Sequence, residues 1–288
     1  MRHQQGMTAM KFDMGRAWDD TTGLLRKNFG LVASIIGLFY FLPQAIITLL
    51  VPEIANFQPD MPPPGTDPAI VLEAMQAAYM ELFSLAWPYW LALTLFQYIG
   101  SISVLALFAK GQNPTVGQAL ATGFKGTPSY IAAQLIYVFA ASVGLGIPLG
   151  LAFALLPLLG VLLAFVAIAL IFYVGVKLML VPTVIAMDGE RNPIEALKHS
   201  WQLTKGNSLR IFFFMLVLIG VLTLISIVAS MIFGVIFALF GGTVAAFGNG
   251  IVAAIAAAIT GSVVLLALAA IHRQLSGVTV PREIDAFE

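Results

Sequence analysis

Apolar residues along this chain gather into long runs rather than alternating with polar ones. A helix needs about 20 mostly apolar residues to cross a bilayer. Stretches of that length occur near residues 29–51, 82–107, 131–150, 158–182, 211–240 and 251–270. The third and fourth belong to one apolar run, Ile131 to Pro182, too long for a single span. The Pro148-Leu149-Gly150 and Pro157 region supplies the break. The pattern predicts an all-α, polytopic membrane helix bundle of about six transmembrane helices, forming a single transmembrane domain over residues 1–288.

Three further segments carry a helical period with a polar face: 11–28, 113–126 and 192–206. In the first, Met14, Ala17, Trp18, Thr21, Leu24 and Leu25 form one stripe, and Arg26 and Lys27 stand at the end nearest the first span. Such a helix lies in the headgroup plane. In the third, Asn192 is placed to cap, Pro193 fits the first helical position, Glu195 completes a capping box and Gly206 ends the helix. Ile194, Leu197 and Trp201 make its apolar stripe, flanked by Lys198 and Lys205. The middle segment opens on the same Asn-Pro pair, at Asn113. Trp18, Arg26, Lys27, Lys198, Trp201 and Lys205 are thus the expected interfacial anchors.

The three segments align with one another. Gln118-Ala119-Leu120 with Phe124 matches Glu195-Ala196-Leu197 with Trp201, and Arg16-Ala17-Trp18 is a looser copy. Asn28 and Asn207 hold equivalent places before spans one and five. Each copy precedes two spans, which predicts a threefold internal repeat of amphipathic helix plus hairpin. The first copy then carries an insertion, residues 52–81, which is acidic and proline-rich.

Composition agrees with the pattern: 60% of residues are hydrophobic and 10% charged, against about 45–50% and 25% in soluble domains. Lipid is the solvent that tolerates such a surface. Net charge is zero, which removes any global attraction to nucleic acid. There is no cysteine, so no disulfide, thiolate metal site or cysteine nucleophile. His3, His199 and His272 lack zinc-type spacing. No metal and no cofactor is expected.

Charge placement sets orientation. The connections after spans one, three and five hold no Lys or Arg, and residues 52–81 carry Glu53, Asp60, Asp67, Glu73 and Glu81. Every Lys and Arg except Lys177 falls on the other side. Basic residues stay in the cytoplasm, so both termini are expected inside and residues 52–81 outside. The first 28 residues lack the short apolar core of a cleavable signal.

Lys177 is the charge embedded in a span. Burying it costs about 2.5–3.5 kcal/mol or more. Either it snorkels or pairs with Asp188 or Glu190, or it serves a ligand, a lipid headgroup or a proton-linked role. Gln44, Thr48, Thr94, Gln97, Gln134, Thr223, Ser226, Ser230, Thr260 and Ser262 are scattered through the spans, where such groups bond across helices. Gly250, Ala254, Ala258 and Ser262 recur at four-residue spacing, a face for close helix packing. Pro43 is placed to kink span one, and His272 and Arg273 to meet cytoplasmic headgroups or a helix C-terminus at the end of span six.

The stretch from Lys177 to Asn207 reads as a basic residue, an apolar run with Pro182, a turn with Asp188 and Gly189, then Glu195-Ala196-Leu197 followed by Ser200-Trp201, Leu203-Thr204 and Gly206. It resembles the bacterial family named after the membrane domain of glycerophosphoryl diester phosphodiesterase. That resemblance implies a bacterial cytoplasmic membrane and singles out Lys177, Trp201 and Gly206. The phosphodiesterase catalytic barrel is a separate soluble domain, and nothing here corresponds to it. The leading reading is a non-enzymatic accessory, scaffold or membrane-organising component. It would contact membrane lipids and, through its cytoplasmic face, partner proteins. A transporter or channel for a small or lipid-like solute is the alternative, and a lipid-modifying enzyme a third.

Overall fold

The computed structural model describes residues 11–277 apart from 52, 53, 55, 56, 58 and 110–113. Among the described residues it is helical, with turns and no strand. The helices are α1 (Met14–Ile36), α2 (Leu42–Leu50), α3 (Pro68–Ala106), α4 (Val116–Ala141), α5 (Ile147–Leu155), α6 (Pro157–Leu178), the single turn α7 (Val181–Thr183), α8 (Pro193–Leu203), α9 (Ser208–Ala238) and α10 (Gly242–Leu275). Among the described residues six segments are long and apolar enough to cross a membrane: Met14–Leu50, Pro68–Ala106, Val116–Leu155, Pro157–Asp188, Ser208–Ala238 and Val244–Leu275. The expected helix bundle is therefore what the chain forms.

Proline and polar residues shape the helices where the expected boundaries fall. Asn28 leaves helical geometry (φ −124°, ψ 20°) and bonds back to the Leu24 carbonyl at 3.0 Å, so the amphipathic part of α1 is set off from the span by a kink. A π-helical turn, Gly37–Phe41, precedes Pro43 and absorbs the amide that the proline lacks. A second such turn, Ser142–Gly146, does the same for Pro148. Pro148 and Gly150 therefore do not break the third span. The break is at Leu156 alone (φ −147°, ψ 95°), just before Pro157 starts α6.

Two other expectations change. The segment 113–126 is not a separate helix, because α4 runs from Val116 through Pro128 to Ala141 without interruption. Asn113 lies outside the described residues, and Thr115 and Gln118 form the capping box instead. At α8, Asn192 caps as expected, accepting from the Ile194 and Glu195 amides at 3.0 and 3.4 Å. Glu195 does not close the box. It pairs with Lys198 at 2.8 Å, and Glu190 takes the Asn192 amide at 2.7 Å.

The contacts divide the chain into two units. The first comprises Met1–Val32, Ser101–Ile219 and Val263–Glu288, as far as these are described. It holds almost all of the fully buried large side chains, among them Ile102, Leu105, Leu180, Ile185, Ile211, Leu266 and Ile271. Apolar side chains gain little from leaving lipid for protein, so close packing is what stabilises this core. The aligned alanines Ala17, Ala119 and Ala196 all belong here and are all fully buried. Thr21, Gly123 and Ser200, one turn further on, are buried too. Each amphipathic segment thus docks through its smallest residues.

The second unit comprises Ala33–Gly100 and Gly220–Ser262. It leaves most large apolar side chains exposed, as a lipid-facing surface does. Its helices meet at small residues: Gly100 lies against Phe39, Gly250 against Thr48 and Gly261 against Tyr40. Ala254 is fully buried, while the Ser262 hydroxyl bonds to the Ala258 carbonyl of its own helix. The other hydroxyls correct the expectation of bonds across helices. Thr48, Thr94 and Ser226 each donate to the carbonyl four residues earlier, at 3.0, 2.8 and 2.9 Å. Gln134, in the first unit, likewise donates to Tyr130 on its own helix. Pro59 and Met61, between α2 and α3, line a small cleft with Met75, Tyr79 and Leu82 of α3. The proline-rich segment is non-helical over 59–63.

Candidate functional site around Lys177

Lys177 is the penultimate residue of α6, in the first unit, and only 3% exposed. The helix ends there because the chain turns at Met179-Leu180 toward Pro182. The last carbonyls of a helix have no partner within it. The Ser200 hydroxyl of α8 satisfies one of them, donating to the Lys177 carbonyl at 2.8 Å. That bond brings Trp201 against the same turn of α6. Its ring meets Tyr173 edge-on, with centroids 5.9 Å apart. The Lys177 ammonium sits over both rings, 5.6 Å from Tyr173 and 5.5 Å from Trp201. Each such contact contributes about 0.5–2 kcal/mol toward the cost of burying the charge.

Neither expected acidic partner is there. Among the described residues Lys177 forms no ion pair. Glu190 is committed to the Asn192 amide. The Asp188 carboxylate receives His272 Nε2 at 2.9 Å and lies 3.6 Å from His199 Nδ1. The reason is geometric: a π-helical turn, Val184–Asp188, and then Gly189 in the left-handed region (φ 76°) carry both acids onto the next turn of chain.

His272 and Arg273 stand in the last turn of α10, the helix C-terminus that the sequence offered for them. His272 is 3% exposed, and its Nδ1 has no partner among the described residues. Arg273 donates to the Phe108 carbonyl at 3.1 Å and stacks on the Phe108 ring. Gln274 exchanges two bonds with the backbone of Asp13, at 2.9 and 3.2 Å. The Phe12 amide donates to Asn207 Oδ1 at 2.9 Å, and its ring packs on Phe214. The end of α10 therefore ties together the chain start, the end of α3 and the turn after α6. Tyr173 and Ser200, both essential to the surroundings of Lys177, were not singled out from sequence. The i, i+4 spacing of Tyr173 and Lys177 was the available signal.

Lys177 lines a cleft of about 620 Å³ between α6 and the start of α9. Phe172, Tyr173 and Val176 form one wall, and Ser208, Leu209 and Phe212 the other. Lys205 and Gly206 stand at one end. Gly206 adopts φ 80°, which ends the α8 segment as expected and turns the chain into α9. Of the expected interfacial anchors, Trp18 and Trp201 are 48% and 40% exposed, and Arg26, Lys27, Lys198 and Lys205 are exposed.

Residues 154–277 match the family model of the membrane domain of glycerophosphoryl diester phosphodiesterase. The match contains the whole site, from α6 to the end of α10, and extends well beyond the stretch that carried the resemblance. No other domain is found. No curated protein and no solved structure matches the chain. The protein is thus a multi-pass membrane protein that is similar, over residues 154–277, to this family of membrane domains.

Proposed function

We propose that this is a non-enzymatic, membrane-organising component that engages lipid at the cytoplasmic face of a bacterial cytoplasmic membrane. The two-sided character of α8 carries the reading. Ala196 and Ser200 are buried against the first unit, while Ile194 and Trp201 are 51% and 40% exposed beside exposed Lys198. The amphipathic part of α1 is built alike, with Ala17 and Thr21 buried and Met14, Trp18, Arg26 and Lys27 outward. A helix fixed to protein on one side, with aromatic and basic groups on the other, suits the headgroup region. The basic-free connections after spans one, three and five support placing both termini in the cytoplasm.

The nearby polar groups serve architecture rather than catalysis in this reading. Ser200 is engaged by the Lys177 carbonyl and Asp188 by His272, which leaves no nucleophile paired with a base there. The test is depth. Single-tryptophan proteins retaining Trp18 or Trp201, reconstituted in bilayers, should be quenched by lipids labelled near the headgroup. Quenching by aqueous iodide alone would remove the reading.

A further inference from the structure

We propose that the cleft between α6 and α9 is a binding site for one anionic phospholipid. The phosphate would meet Lys177, Lys205 and the first turn of α9 at Ser208, and an acyl chain would run along Phe172, Leu209 and Phe212. The assignment rests on reading this end of the first unit as the membrane–water interface.

Four observations converge on it. First, Lys177 is buried against aromatic rings at the wall of the cleft. The residue is 3% exposed and its ammonium lies over two aromatic rings. Second, its charge has no carboxylate partner among the described residues, and no acidic side chain lines the cleft. A second cation, Lys205, lines the same cleft. Two cations lining one cleft without an acidic side chain form an incomplete arrangement that a phosphate completes. Third, Ser208 and Leu209 open α9, where backbone amides lack helical partners and the helix dipole favours negative charge. These residues line the same cleft. Fourth, the rest of the lining is aromatic and aliphatic, and about 620 Å³ far exceeds what a bare phosphate fills. The shape calls for an anion attached to an apolar body. A zwitterionic lipid brings its own cation to the lysines, so an anionic headgroup is the better complement.

Native mass spectrometry of the full chain in detergent micelles tests this with three probes: phosphatidylglycerol, phosphatidylcholine and inorganic phosphate. The wild type should retain one phosphatidylglycerol under conditions that strip phosphatidylcholine, and inorganic phosphate should not displace it. Lys177→Met preserves bulk and burial and should weaken phosphatidylglycerol about tenfold. Lys177→Arg should restore much of the binding. Lys205→Gln should weaken it about threefold, since Lys205 is exposed. Unchanged phosphatidylglycerol binding in Lys177→Met, or equal retention of phosphatidylcholine, overturns the proposal. Displacement by inorganic phosphate alone overturns the lipid assignment in favour of a soluble anion. If Lys177→Met fails to fold, Lys205→Gln decides, and no loss in that variant is likewise fatal. Trp201 quenching in bilayers separates the two levels of argument. Unchanged lipid binding with Trp201 still quenched defeats the site alone, while an unquenched Trp201 in the wild type defeats the interfacial reading beneath it.

Discussion

His272, at the end of the last helix, donates from Nε2 to the Asp188 carboxylate across 2.9 Å and 84 positions of sequence. This contact fixes the turn that follows α6, and with it the start of α8 and the position of Trp201 over Lys177. His272 is almost wholly buried, so losing its partner strands a polar atom where water does not reach.

Asp188→Ala should therefore lower stability by about 1–3 kcal/mol. His199→Ala, at a longer and more exposed contact, should cost less than about 1 kcal/mol. Thermal melts of the two variants in the same detergent should differ clearly. Equal melting temperatures would show that the His272 contact contributes nothing.

The caps of α8 divide unequally between two neighbouring residues. Asn192→Ala removes acceptors for two amides and should cost about 0.5–2 kcal/mol. Glu195→Ala removes only an exposed pair with Lys198 and should cost about 0.5 kcal/mol or less. Protease sensitivity of the α8 segment, read against both variants, checks the order.

In the second unit the close approach of α10 to Thr48 leaves no room for a side chain at Gly250. Gly250→Val should destabilise by about 1–3 kcal/mol or more, through overpacking. Gly220→Ala, with nothing within 4 Å of the added carbon, should be tolerated. Unfolding in graded denaturing detergent separates the two outcomes.

Gly206 ends the α8 segment with φ 80°, a conformation that costs other residues about 1–2 kcal/mol. Gly206→Ala should lower the melting temperature and Gly206→Asn should lower it less, because asparagine tolerates the left-handed region. An alanine variant as stable as the wild type would show that the turn relaxes.

Much of the fold was legible because each feature depends on nearby residues. The Asn192 cap and the Gly206 turn follow from local geometry. Errors arose where a neighbouring turn competed. Pro148 reads as a breaker, but the π-helical turn before it keeps the span intact. Glu195 reads as a capping-box partner, but Lys198 lies one turn away and Glu190 already occupies the Asn192 amide.

The chain's apolar run lengths alone determined six crossings, because a bilayer imposes one minimum length and full backbone pairing on anything that spans it. They also set apart the unusual charge at Lys177. Only the tertiary structure decided what surrounds that charge. Phe12 with Asn207, Asp13 with Gln274 and Asp188 with His272 are 195, 261 and 84 positions apart. No period or spacing encodes such pairs, since each depends on which helix ends the packed core brings together. That core placed Asp188 on His272 and left Lys177 to two aromatic rings and an open cleft.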